Sequence, residues 1–136
     1  MVDSICIIDD DMVSQFATRY CLKQYVEDGE VITCNSAEEG LELCSALLKE
    51  SKNLPEIIFL DLSMDGMDGW DFIKNLEVLC QGNIQPSIFI LSAFSNSKDR
   101  EIAKQHSMIA GYFDKPLTKL NLEKVFGPKR SSELAL

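Results

Sequence analysis

"FLDLSMDGMDGWDF" (59–72) sets four aspartates and two glycines in fourteen residues, and its first residues complete the apolar run "IIFL" (57–60). Asp61, Ser63, Asp65 and Gly66 occupy the first, third, fifth and sixth places of an EF-hand loop, so calcium is the first reading to test. It fails at the twelfth place, which needs a bidentate glutamate and holds Phe72. It fails again upstream, because an EF-hand loop follows an amphipathic helix, whereas "IIFL" is a short continuous apolar run of the kind that forms a buried strand. The stretch is therefore a strand that ends in an aspartate and a polar turn.

Outward from it the same pattern recurs. "SICIID" (4–9), "EVITC" (30–34), "EIIFLD" (56–61), "SIFILS" (87–92) and "GYFD" (111–114) are the predicted strands, and the central ones are apolar on both faces, as strands covered by helices on both sides must be. Val13, Phe16, Ala17, Tyr20 and Val26 nearly share one helical face and predict a first helix packed through it. Ala37, Leu41, Cys44 and Leu48 predict a second helix, with Ser36 and Glu39 forming a capping box. Ile73, Leu76 and Cys80 line a third, Ile102 and Ala103 anchor a fourth, and Leu122, Val125 and Phe126 belong to a fifth opened by Thr118. Pro55 and Pro86 stop the elements before them. Strand and helix in alternation predict an α/β domain with a parallel sheet, and 136 residues suit one such domain, here 1–127. The closing residues 128–136 are expected to form a mobile tail.

Composition removes several function classes. Lysine and arginine number 13 against 22 aspartates and glutamates, a net charge of −9 that repels phosphate backbones and argues against direct DNA binding. Cys6, Cys21, Cys34, Cys44 and Cys80 are odd in number, form no CxxC pair and lie in or beside apolar segments, so they read as reduced core residues. His106 is the only histidine and leaves no Cys/His zinc site. No run reaches the ~18 apolar residues of a membrane span. "MVDSICII" lacks the basic start of a signal peptide, so a cytoplasmic protein away from the membrane is expected.

In an open parallel sheet, ligands bind beyond the carboxyl ends of the strands. Here those ends read "DDD" (9–11), Asp61, "LSA" (91–93) and "DKP" (114–116). With strands ordered 2-1-3-4-5, the first and third are neighbours, so Asp9, Asp10 and Asp61 crowd into one acidic pocket. Carboxylates that close repel unless a cation joins them, and an oxygen-only donor set favours magnesium, which ordinarily shares its site with phosphate oxygens. Lys115 offers a positive charge and Ser92 a hydroxyl for such a group, and Ala93 leaves the approach uncrowded. An aspartate carboxylate can itself attack phosphorus, and Asp61 is the candidate. Singly, each of these residues has a simpler role as a turn or surface residue; together they point to chemistry. Asp11 is assigned to the helix start, Asp65, Asp68 and Asp71 to turns and caps, and Met64 and Met67 to packing.

The segments "IIDDD", "FLDLSMDGMDGWDF", "ILSA" and "GYFDKPL", in this order and spacing, resemble the receiver domains of two-component response regulators, the single-domain chemotaxis regulator being the best-known type. The resemblance runs from about Ser4 to Phe126. It implies a flavodoxin-like (βα)5 doubly wound parallel sheet in the order 2-1-3-4-5. It also implies that Asp61 accepts a phosphoryl group from the phosphohistidine of a sensor histidine kinase or a histidine phosphotransfer protein. Mg2+, or Mn2+ in its place, is then held by Asp10, Asp61 and the backbone carbonyl of Ser63, with Asp9 acting through water. Ser92 and Lys115 are the implied phosphoryl-binding residues, Tyr112 the implied switch aromatic, and Lys115-Pro116 the implied cis peptide. Two departures stand out. Asp65 occupies a place where the family commonly has proline, and Phe94, two residues after Ser92, is an apolar side chain expected to shield the aspartyl-phosphate from water.

The implied role is a stand-alone switch that signals to a separate protein through its fourth helix, fifth strand and fifth helix, and turns over no external substrate. A phosphatase of the haloacid-dehalogenase kind needs a second aspartate where Ser63 stands. A receiver-like binding module that is never phosphorylated remains the alternative, although both Asp61 and Lys115 are present.

Overall fold

The computed structural model describes residues 4–26, 28–94 and 96–127. The expected mobile tail at 128–136 lies outside them. Strands β1 (Ser4–Ile8), β2 (Glu30–Cys34), β3 (Ile57–Leu60), β4 (Ser87–Ser92) and β5 (Ile109–Asp114) alternate with helices α1 (Met12–Lys23), α2 (Ala37–Lys49), α3 (Gly69–Leu79), α4 (Ser97–Gln105) and α5 (Lys119–Phe126). All strand pairs are parallel and the sheet order is β2-β1-β3-β4-β5, the flavodoxin-like arrangement.

Side-chain alternation divides the core in two. Cys6 and Ile8 of β1, with Ile58 and Leu60 of β3, face a cluster completed by Ala37, Cys44, Phe72, Ile73, Leu76 and Ala103 from α2, α3 and α4. Ile5, Ile7, Ile57 and Phe59 point the other way, against Leu22 of α1 and Leu122 of α5. Both faces are covered, which is why these strands read as continuous apolar runs. Met64 and Met67 pack against the first cluster, as expected.

The first helix differs from its prediction. Val13, Phe16 and Tyr20 are 79%, 73% and 64% exposed, whereas Gln15, Thr18 and Leu22 face the sheet. Position 15 is turned inward because the Gln15 amide donates to the Asp9 carbonyl and to Asn35 Oδ1. One buried and one part-buried polar bond, with Thr18 and Leu22, thus outcompete the apolar stripe for the inward face. Val26 lies past the helix end, half-buried beside the second cluster. At α2, the Ser36 hydroxyl accepts from the Glu39 amide as expected, but the Glu39 carboxylate accepts from Asn35 rather than from Ser36, so the capping box is not closed. Thr118 and Asn121 close a full box on α5. β5 begins two residues earlier than expected, at Ile109, through a register shift opposite Ile88 and Phe89.

All five cysteines are free thiols. Burial pushes Cys44 up to about 12, and Cys6 lies 3.8 Å from Cys34, sulfur to sulfur, inside the first cluster. Cys6, Cys34, Cys44 and Cys80 are buried in the first cluster, and Cys21 is half-buried against the second. Among the described residues, no helix is long and apolar enough to cross a membrane.

Candidate functional site

β1 and β3 stop one residue short of Asp9 and Asp61. The Asp9 amide still donates to Cys34 and the Asp61 amide to Ile8, at 3.1 and 3.0 Å, so the backbone stays tied to the sheet while each side chain leaves its edge. Asp9 and Asp61 are 2% and 6% exposed. Together with the exposed Asp10 they form the group of possible metal ligands found among the described residues, with one oxygen from each lying within 4.8 Å of the others. Sequence and structure agree on this convergence.

The helix that follows β1 secures Asp9. Its Oδ2 accepts from the Ser14 hydroxyl at 2.6 Å, and its Oδ1 accepts from the Asp11 amide at 3.0 Å. Asp11 caps α1 by accepting from the Val13 amide, the role expected of it. Asp61 is held by the Ser63 amide on Oδ1, at 3.2 Å, and by Lys115 on Oδ2, at 3.3 Å. Lys115 sits closer to Asp9, at 2.8 Å. Its own amide donates to the Ser92 carbonyl, which docks the end of β5 beside β4, and the Lys115-Pro116 peptide is cis as expected.

One lysine therefore serves two buried carboxylates unequally. Burial pushes Asp61 above the usual carboxylate range; Lys115 pulls it back and Asp9 pushes it further, with a net upward result. Burial lowers Lys115, but the two carboxylates outweigh that and raise it. The two directions are consistent once the distances are compared: Lys115 is satisfied chiefly by Asp9, and Asp61 remains the less compensated charge. All donors are oxygens. That chemistry fits a small hard cation and not zinc; His106, the one histidine, is engaged elsewhere with Glu77 at 3.0 Å.

Ser92 is buried at the end of β4, its hydroxyl accepting from the Phe94 amide at 3.3 Å. Ser63 is exposed beside Asp61. Phe94 is 81% exposed, so its ring stands out into solvent. Tyr112 is half-buried. Burial raises its phenol, the neighbouring Ser92 offsets this in part, and its hydroxyl meets no partner in hydrogen-bonding geometry among the described residues. The Arg100 guanidinium lies 4.7 Å over the Tyr112 ring and pairs with Asp114 at 2.8 Å, joining α4 to β5.

Close packing sets the loop after β3. A methyl group on Gly69 would stand 2.8 Å from the Asp61 carbonyl oxygen and 2.9 Å from Leu62 Cα, so only glycine lets α3 start this near the aspartate. Gly66, at φ 77°, makes the preceding turn, and Asp68 caps α3. Sequence reasoning missed Ser14, Gln15, Arg100 and the amide of Asp65, which donates to Asp10 at 3.0 Å. The one available signal was the polar Ser-Gln pair in the first turn after "DDD".

The family model of the response regulator receiver domain matches residues 5–126. An uncharacterized 14.6 kDa protein from the sodA1 3' region of Leptolyngbya boryana is 29% identical over 119 residues, covering 87% of this chain and 82% of that protein. A two-component response regulator from Legionella pneumophila superposes with a TM-score of 0.75 at 27% identity, covering 93% of this chain and 95% of its own. One from Cytophaga hutchinsonii reaches 0.81 at 22% identity, covering 92% and 94%. A CheY-like receiver domain protein from Methanospirillum hungatei reaches 0.72 at 20% identity, over 92% and 91%, a likeness of fold. Matched from the second residue of β1 to the last of α5, the chain belongs to the response regulator receiver domain family.

Proposed function

We propose that this receiver is a phosphorylation switch, with Asp61 as acceptor of a phosphoryl group carried by a phosphohistidine of a sensor histidine kinase or a histidine phosphotransfer protein. One observation carries the reading: Asp61 is a buried carboxylate, oriented on both oxygens, whose charge is only partly compensated. In the transfer, an Asp61 oxygen forms the new bond to phosphorus, the phosphorus–nitrogen bond of the donor breaks, and the electron pair leaves with the imidazole. Lys115 and Ser92 then hold the phosphoryl oxygens. Asp10, Asp61 and the Ser63 carbonyl would hold Mg2+ or Mn2+, with Asp9 acting through water. When bound, the ion supplies neutralisation of charge between the carboxylates and the phosphoryl group.

The reading places the protein in the cytoplasm, where phosphohistidine is made from ATP, and gives it no external substrate to turn over. Its signal passes to a separate protein through α4, β5 and α5. Tyr112 is the switch residue on that face, and it is joined to α4 through Arg100.

Intact mass after incubation with acetyl phosphate tests the chemistry. A gain of one phosphoryl group is expected with Mg2+, none with chelator, and none in Asp61→Asn. A folded protein that binds Mg2+ yet gains no mass would instead mark a binding module.

A further inference from the structure

The proposed chemistry leaves one contact in the pocket without a task. The backbone N–H of Asp65 donates to Asp10 Oδ2 at 3.0 Å, across 55 residues of sequence. Asp9 receives Ser14, Lys115 and the Asp11 amide, and Asp61 receives Lys115 and the Ser63 amide. Asp10 is the exposed member of the trio, and the Asp65 N–H is the hydrogen bond found on its side chain among the described residues. An exposed aspartate without such a tether is free to turn its carboxylate to water. The loop that supplies the tether is itself anchored: Gly66 turns it at φ 77°, and the Met67 amide donates to Glu38 Oε2 of α2 at 3.4 Å.

We propose that the Asp65 backbone amide is a positioning group that fixes the Asp10 carboxylate toward Asp9 and Asp61 and so sets the affinity of the pocket for a divalent cation. This rests on the reading of the trio as a magnesium site. The bond uses one lone pair of Oδ2 and leaves Oδ1 open to a cation. Partners that orient a metal ligand from behind are commonly worth ~10–100-fold in metal affinity. The Asp65 side chain is not required, only its N–H. Proline, which has no N–H, is thus the informative substitution at position 65.

The test is the dissociation constant for Mg2+ of the unphosphorylated chain, followed by fluorescence of Trp70, the single tryptophan, which is half-buried one residue after Gly69. Asp65→Ala keeps the amide and removes the charge; a change within about twofold is expected for one exposed charge. Asp65→Pro removes both, and binding about tenfold weaker than in Asp65→Ala is expected, the low end for such partners. In an Asp10→Ala background the difference between proline and alanine must vanish, an outcome that a merely structural loop would not give. Equal binding by the proline and alanine variants overturns the proposal, and so does tighter binding by proline, which would mean that the amide competes with the ion. Should the proline variant fail to fold, amide exchange of Asp65 decides: protection in the wild type that is lost in Asp10→Ala supports the tether, and unchanged exchange refutes it. A wild type that binds no Mg2+ overturns the magnesium site itself, and this proposal with it.

Discussion

Lys115→Met is the perturbation whose size follows most directly from the site. It removes the cation placed 2.8 Å from Asp9 and 3.3 Å from Asp61, whose side chains are 3% and 7% exposed. Breaking a buried ion pair by deleting one partner costs ~3–5 kcal/mol when the other charge must stay. Here a carboxylate can escape by protonating. From an ordinary value of 3.8, holding a proton at pH 7 costs about 4 kcal/mol at 1.36 kcal/mol per unit, which caps the penalty. Asp61 is already raised in the wild type, so part of that cost is present before the substitution. A net loss of about 2–3 kcal/mol is expected, a fall in urea midpoint of ~1 M or more. The loss carries a pH dependence of definite sign. A carboxylate raised in the folded state contributes no penalty below its unfolded value, where both states hold the proton; the penalty opens above that value and is complete above the folded one. The variant must therefore approach wild-type stability near pH 4 and fall behind it toward pH 7. Lys115 itself, raised in the folded state, stabilises below 10.5 and loses that contribution as pH rises through its folded value. Urea denaturation in chelator across pH 4–8 reads the carboxylate penalty, the loss of the Lys115 contribution lying above that window. Equal midpoints at pH 7 would refute the electrostatic account of the pocket.

Gly69→Ala places a methyl 2.8 Å from the Asp61 carbonyl and 2.9 Å from Leu62 Cα, both backbone atoms that cannot step aside. Overpacking of this kind costs ~1–3 kcal/mol, only partly offset by alanine's better helix propensity, so a melting temperature lower by about 4–8 °C and slower acetyl phosphate labelling are expected. Phe94→Glu exchanges an 81% exposed ring beside Ser92 for a carboxylate able to attract and orient water. Loss of the phosphoryl label about tenfold faster is expected, below the ~10²-fold of a positioned base, and an unchanged rate would remove Phe94 from any role in lifetime.

The strands were legible because burial on both faces leaves little ambiguity. "IIFL" and "SIFILS" have no polar alternative to offer a surface, and the acids that follow them mark where the ladder ends. The acidic trio and Lys115 were legible for the same reason, since parallel strands bring their carboxyl ends to one edge. Amphipathic helices were less secure. A 3.6-residue period identifies a face without saying whether the sheet or a different surface receives it, and α1 carries two candidates. The outcome there turned on Gln15, whose bonds to the Asp9 carbonyl and Asn35 no hydropathy scale can register. Tethers formed by backbone amides, at Asp65 and Met67, were invisible because every non-proline residue has one.

The same facts explain how the fold tolerates its pocket. The three carboxylates stand beyond the last ladder pairs, so their repulsion acts on side chains and loops while the strands beneath them are pinned by two apolar clusters. What holds the acids is a set of local donors: Ser14, three backbone amides and one lysine. Only the lysine is charged, and it is shared unevenly. On the proposed reading this inequality is useful, because an incoming phosphoryl group adds negative charge on the Asp61 side and Lys115 needs only to shift from Asp9 to meet it. Asp9 keeps Ser14 and the Asp11 amide when that happens, so the move strands no buried carboxylate without a donor.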